Sequence, residues 1–170
     1  MLSFKNLVEL HVLAVLRREK RVSLGDVRKA IAALEKQLGD AHPLLSTKLL
    51  ADQNRRLFIE ILGRFVNVSD DGQVEMRAVI EQYLSRIERD HHGIPMRLFP
   101  FTTARRSETA RAVSIDPRVQ FGKPCLAGTR IVTTILAERI KAGDSVEELA
   151  ADCGRPQQEI EAALRYHIAA

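Results

Sequence analysis

Apolar residues over the first forty positions recur at intervals of three and four, which predicts two helices before any charge or motif is considered. Leu7, Val8, Val12, Leu13, Val15 and Leu16 give a helix from Phe4 to about Arg18 with a broad buried face, and Lys20 to Val22 interrupts it. Ser23 is a suitable N-cap for a second helix carrying the stripe Val27, Ile31, Leu34 and Leu38, and Gly39 supplies its stop. Beyond Pro43 the pattern shifts. Lys48 to Ala51, Leu57 to Leu62 and Phe65 to Val68 read as short strands, with turns at Asp52 to Asn54 and a bend at Gly63. Asp70-Asp71-Gly72 then turns into a third helix, from about Gln73 to Arg89, with Met76, Val79, Ile80, Leu84 and Ile87 inside. The order helix, helix, hairpin, helix predicts a winged-helix-like region over residues 1–101, closing with a strand around Arg97 to Phe101. The polar run that follows predicts a linker over 102–112 and a domain boundary near 110.

The C-terminal pattern is different. Gly122, Pro124 and Gly128 punctuate two short apolar stretches, around Arg118 to Phe121 and Arg130 to Val132, which suits a β-ribbon or a folded-back loop. Two strands alone are marginal in water, so pairing with a second copy in a symmetric dimer is expected. A helix from about Thr133 to Ala142 stops at Gly143. Ser145 with Glu148 three residues on has the form of a capping box. Small Ala150, then Gly154, then Ile160 have the spacing of a helix-turn-helix: a small residue where helices cross, glycine in the turn and a branched residue seating the second helix. Pro156 fits the first turn of that helix. By spacing, Ile160, Ala163, Leu164 and His167 face inward, and Gln158, Glu161 and Arg165 outward. The fold class expected is mainly α with short β elements, a winged-helix-like region followed over 113–170 by a ribbon plus helix-turn-helix domain.

Arginine and glutamine are the residue types that read base edges in a major groove, so Arg155, Gln157, Gln158 and Arg165 are the candidate DNA contacts. Glu159 and Glu161 oppose phosphate there. Of the net charge of +4, residues 1–110 carry 18 cations against 14 carboxylates and residues 111–170 carry 8 against 8, so the whole excess lies upstream. Arg17, Arg18, Lys20, Arg21, Arg28 and Lys29 form the densest cluster, with phosphate contact or a solvated face as the two readings. No apolar run reaches the roughly 20 residues of a membrane span, and Lys5 and Glu9 break any secretory stretch, which makes the cytoplasm the expected location.

Catalytic signals are weak. Asp90-His91-His92 has the start of a phosphoesterase motif, but a two-metal site needs further carboxylates and histidines that His11, His42 and His167 do not provide. Cys125 and Cys153 lack a paired histidine and read as small core residues. No enzyme activity, catalytic residue, metal or cofactor is expected.

Residues 115–131, IDPRVQFGKPCLAGTRI, followed by ILAERIKAGDSVEELAADCG and QQEIEAALRY, resemble domain-of-unknown-function family 433. Its distinctive parts here are Gly122-Lys123-Pro124, Gly128-Thr129-Arg130-Ile131, Ala142-Gly143, Ser145 and Glu148. Leu7 to Arg17, His42 to Leu45 and Arg97 to Phe101 resemble the middle of longer members, many of which begin with an additional MerR-like helix-turn-helix. Phe121 stands where many relatives have glycine. The resemblance implies a VapB-type antitoxin of a type II toxin-antitoxin system. Such a protein neutralises a PIN-like ribonuclease toxin by direct binding and, as a homodimer, represses its own operon through operator DNA. Phe121, Lys123 and Arg130 are then the expected partner or dimer contacts. The rivals are a stand-alone DNA-binding regulator and a toxin inhibitor that binds no DNA.

Overall fold

The computed structural model describes residues 3–20, 23–40, 42–45, 53, 56–61, 78, 81–100 and 111–169. The chain divides into two compact units, Met1–Pro95 and Met96–Ala170.

In the first unit, α1 (Phe4–Lys20) and α2 (Leu24–Leu38) follow the apolar periodicity. Ser23 Oγ accepts the Asp26 N–H at 3.1 Å and so takes up one of the donors that a helix start leaves unpaired. At the other end Gly39, in the left-handed conformation, donates to Glu35 O. The buried line of α2 is Val27, Ala30 and Leu34, while Ile31 and Leu38 are half-buried. Residues 56–61 are helical (α3), which overturns the strand expected over Leu57 to Leu62 as far as Ile61. Phe58, Ile59 and Ile61 are buried while Arg56 and Glu60, four apart, are exposed. That is a helical face, since a strand would put residues 56, 58 and 60 on one side. The other two expected strands, the Gly63 bend and the start of the third helix lie outside the described residues.

The third helix ends sooner than its periodicity suggests. Residues 81–84 (α4) are helical, and the Arg86 N–H then donates three residues back to Tyr83 O. β1 (Ile87–Arg89) and β2 (Pro95–Leu98) follow as a two-stranded sheet. The intervening turn is closed by Asp90, whose Oδ1 accepts the N–H groups of His92 (2.9 Å) and Ile94 (2.8 Å). The Asp-His-His run is thus a turn whose carboxylate is engaged with backbone. β2 starts two residues before the expected strand and ends at Leu98, with Phe99 and Pro100 buried beyond it.

The second unit is built on β3 (Val113–Ser114), β4 (Cys125–Leu126), α5 (Thr133–Ala142), α6 (Val146–Cys153) and α7 (Gln157–Ala169). β3 and β4 pair antiparallel, Val113 opposite Leu126 and Ser114 opposite Cys125. Ile115 adds a bridge to Leu98 and Cys125 one to Val132. Ala112, expected in the linker, is buried and accepts the Ala127 N–H at 2.8 Å. Val113, Leu126, Leu136, Leu149, Ile160 and Ala163 form one core in which ribbon and all three helices take part. Among the described residues no helix is long and apolar enough to cross a membrane.

Leu149 is fully buried in the core shared by the ribbon and the three helices, so Leu149→Ala opens a cavity there. Its expected cost is about 2–5 kcal/mol in chemical denaturation. A loss below about 1 kcal/mol contradicts this packing.

Candidate interaction surface

The helix-turn-helix is assembled by local chemistry. At the start of α6, Ser145 Oγ accepts the Glu148 N–H (3.2 Å), and Glu148 Oε2 accepts the Ser145 N–H (2.7 Å), completing the capping box. These bonds hold the Glu148 carboxyl below the usual range. α6 stops at Gly154, where φ is +60° and nothing lies within 4 Å of a built Cβ, so the backbone angle and not space selects glycine. The Arg155 N–H returns to Ala150 O at 3.0 Å. Pro156 sits one position earlier than expected: α7 begins at Gln157, and Pro156 O accepts the N–H groups of Glu159 (2.9 Å) and Ile160 (3.3 Å), the role of an N-cap. Arg139 secures the neighbouring junction by donating to Asp144 and, at 2.7 Å, to Asp152.

On α7, Gln157, Gln158, Glu161 and Arg165 are exposed, as the spacing predicts. The inner face includes Ala162 as well as Ile160 and Ala163, because its neighbours are the ribbon and α5 as well as α6. Arg155, at the turn, is half-buried and grips Glu159 Oε2 through Nε (2.8 Å) and Nη2 (2.7 Å). Arg165 Nη1 lies 3.3 Å from Glu161 Oε2. Both candidate arginines are therefore paired with a carboxylate of α7 four residues away. In the upstream cluster, Arg28 and Lys29 are exposed on α2, and Lys29 pairs with Asp26 at 3.5 Å. Arg17 and Arg18 lie on α1, while their side chains and Arg21 fall outside the described residues.

The loop between β3 and β4 holds what the pattern of spacing missed. The ribbon is formed by residues flanking the expected stretch. Arg118 to Phe121 is a turn running into a short 3₁₀ helix (Gln120–Gly122), because Asp116 folds the backbone back on itself. The Asp116 side chain is 2% exposed. Its Oδ1 accepts Arg118 N–H (2.9 Å) and Nε–H (3.0 Å), and its Oδ2 accepts Nη2 of Arg118 (2.9 Å) and of Arg97 (3.4 Å). The Arg118 guanidinium is the largest influence holding this carboxyl below its ordinary value. An aspartate before proline, flanked by apolar residues, is the sequence signal that could have revealed it.

Past this anchor, Gln120, Phe121 and Gly122 all have positive φ, at 48°, 56° and 78°. Phe121 is 99% exposed. Gln120 Nε2 donates to Arg130 O at 3.0 Å, tying the tip to the segment that follows β4. Lys123 and Arg130, before and after β4 in sequence, are exposed. A Cβ at Gly128 would sit 3.8 Å from Arg155 Nη1, so the ribbon turn borders the helix-turn-helix. Burial raises the thiol pKa of Cys125 and Cys153, which is a packing environment rather than a nucleophilic one. Among the described residues, no group of three or more His, Cys, Asp or Glu is placed to hold a metal ion.

This unit can be compared with known proteins. Residues 113–167 match the model of a protein family of unknown function, DUF433. The DUF433 segment runs from β3 into the last turns of α7 and contains both the loop and the helix-turn-helix. The solved structure of Rv2018 from Mycobacterium tuberculosis is similar in fold, with a TM-score of 0.69 at 23% identity, over 95% of this chain and 77% of that one. No curated protein matches the chain.

Asp116→Asn keeps the shape of the anchor and removes its charge. The expected loss is about 1–3 kcal/mol at neutral pH, the usual worth of hydrogen bonds to a charged group. Because the folded carboxyl titrates below its ordinary 3.8, its stabilisation is complete well above that pH and is lost as pH falls through the folded value. Urea denaturation at a series of pH values should show the gap between wild type and variant closing below about pH 4. A gap of constant size from neutral to strongly acid pH contradicts the assignment.

Proposed function

We propose that the chain is an antitoxin of a type II toxin-antitoxin system, which binds a PIN-like ribonuclease toxin directly and represses its own operon through the α6–α7 helix-turn-helix. The antitoxin half of this reading rests on the resemblance of Gly122-Lys123-Pro124 and Gly128-Thr129-Arg130-Ile131 to VapB-type proteins. The DNA half rests on one observation: a second helix seated by Ile160 after a glycine turn, with Gln157, Gln158 and Arg165 on its open face.

On that reading α7 lies in the major groove, where glutamine pairs with adenine edges and arginine with guanine edges or phosphate. Arg165 exchanges Glu161 for DNA, an exchange with a small cost because the pair is exposed and such pairs contribute at most about 1 kcal/mol. Arg155 is half-buried and holds Glu159 through two nitrogens, so its exchange for DNA costs more. Glu159 and Glu161 remain near phosphate and weaken each copy, so a two-fold operator read by a dimer supplies the affinity a single copy lacks.

The protein-only inhibitor is the second reading, favoured by the pairing of both arginines and by the neutral balance of residues 111–170. Fluorescence anisotropy of the full chain on its own upstream DNA, at a series of salt concentrations, separates the two. The DNA reading expects affinity that falls with salt, a loss of about 1–3 kcal/mol in Arg165→Ala and in Gln158→Ala, and tighter binding in Glu161→Gln. Indifference to all three substitutions, with the toxin-family product of the adjacent reading frame still co-purifying, supports the inhibitor. Failure of that product to co-purify removes the antitoxin half and leaves a stand-alone regulator.

A further inference from the structure

A phenylalanine exposed to 99% on a backbone with positive φ is held against two costs at once. Its ring is fully hydrated, and a non-glycine residue in the left-handed region carries strain of about 1–3 kcal/mol. Gln120, just before it, has the same handicap. Nothing in the fold of the unit needs the ring, since Phe121 contributes to no core. The tip is nevertheless well fixed. Gly122 N–H donates to Val119 O (3.0 Å), Lys123 N–H to Gln120 O (3.1 Å), and Gln120 Nε2 to Arg130 O. Below it, the buried Asp116 carboxylate clamps Arg118. An aromatic ring carried on a pre-ordered loop loses little entropy when it is buried by another molecule, which is the property of an interface anchor.

The charges around the ring say what that molecule brings. From Pro117 to Ala137 the chain holds Arg118, Lys123 and Arg130 and no Asp or Glu. Asp116, the carboxylate nearest in sequence, is buried and engaged by two arginines. Residues 111–170 balance 8 cations against 8 carboxylates, yet the segment bearing Phe121 is wholly cationic. A second copy docking tip to tip would set Lys123 and Arg130 against the same cations across the two-fold axis, which like-charge repulsion opposes. Single-stranded nucleic acid is bound by several aromatic platforms along a groove, whereas this is one ring at a convex tip. We infer that the Phe121 loop is the anchor for a protein partner of a different kind, one with an apolar socket for the ring and carboxylates around its rim to meet Lys123 and Arg130. The antitoxin reading is not required for this; a toxin is one protein that would satisfy it.

The loop also settles how the test can be read. Because Phe121 is solvent-exposed and not part of the core, substitution there leaves folding intact, and melting of the full chain checks that directly. A photo-crosslinking amino acid is placed at Phe121 in the full chain, expressed in its native host, and the crosslinked residues are mapped. The expected product is a heterologous protein crosslinked at apolar residues flanked by Asp or Glu, with its yield reduced at least ~10-fold by Lys123→Glu with Arg130→Glu. With the partner purified, Phe121→Ala should weaken binding by a similar factor. Crosslinks to a second copy of the chain, crosslinks to nucleic acid, no specific adduct, or a protein adduct indifferent to the charge reversal would each overturn the proposal.

Discussion

The buried Asp116 carboxylate is the constraint on which the second unit's recognition surface depends. Taken out of water, a carboxylate is stable only when its acceptor sites are filled, and here one backbone N–H and two guanidinium groups fill them. The consequence is geometric. Filling them forces the chain to reverse at Pro117 and Arg118, which keeps residues 118–121 out of the sheet and leaves β3 to pair with Cys125–Leu126. The loop that projects Phe121 is thus a product of satisfying one charge. Arg97 ties the same carboxylate to β2, so residues 19 apart in sequence share the anchor.

The three helices bury Leu136, Leu149 and Ile160 in one core with Leu126 of the ribbon, which makes ribbon and helix-turn-helix one body. The polar chemistry then divides. At the helix-turn-helix, Arg155 and Arg165 are each matched by an α7 carboxylate four residues away, a surface balanced until something displaces Glu159 or Glu161. Around Phe121 the exposed cations Lys123 and Arg130 have no acidic neighbour in sequence. Two surfaces within 55 residues, one charge-balanced and one cationic, are suited to two kinds of partner. The proposed antitoxin role, with operator DNA on one side and toxin on the other, needs that combination.

What the sequence made legible was what local rules determine. Ser23 and Gly39 bounded α2, Gly143 ended α5, and Ser145 with Glu148 opened α6, because caps depend on residues three or four apart. The outward stripe of α7 followed from periodicity alone. Residues 57–61 were misread because a short apolar run fits a strand or a buried helix equally well, and only the exposure of Arg56 with Glu60 decides between them. Ile87 extended a helical period that the Asp90 turn had already closed off. Asp116 escaped because its importance lies in burial and in a distant arginine, neither of which spacing reports. Phe121 was expected as a partner or dimer contact through the family resemblance alone; its full exposure follows from backbone angles that spacing does not report.

The central claim is that the second unit separates its two recognition surfaces, DNA on α7 and protein on the Phe121 loop. Hydrogen–deuterium exchange of the full chain, with and without its own upstream DNA, tests it most directly. Slowed exchange is expected in the peptides of α6 and α7 alone, with residues 117–123 unchanged. Protection of the Phe121 loop by DNA, or exchange in α7 that DNA leaves untouched, would contradict it.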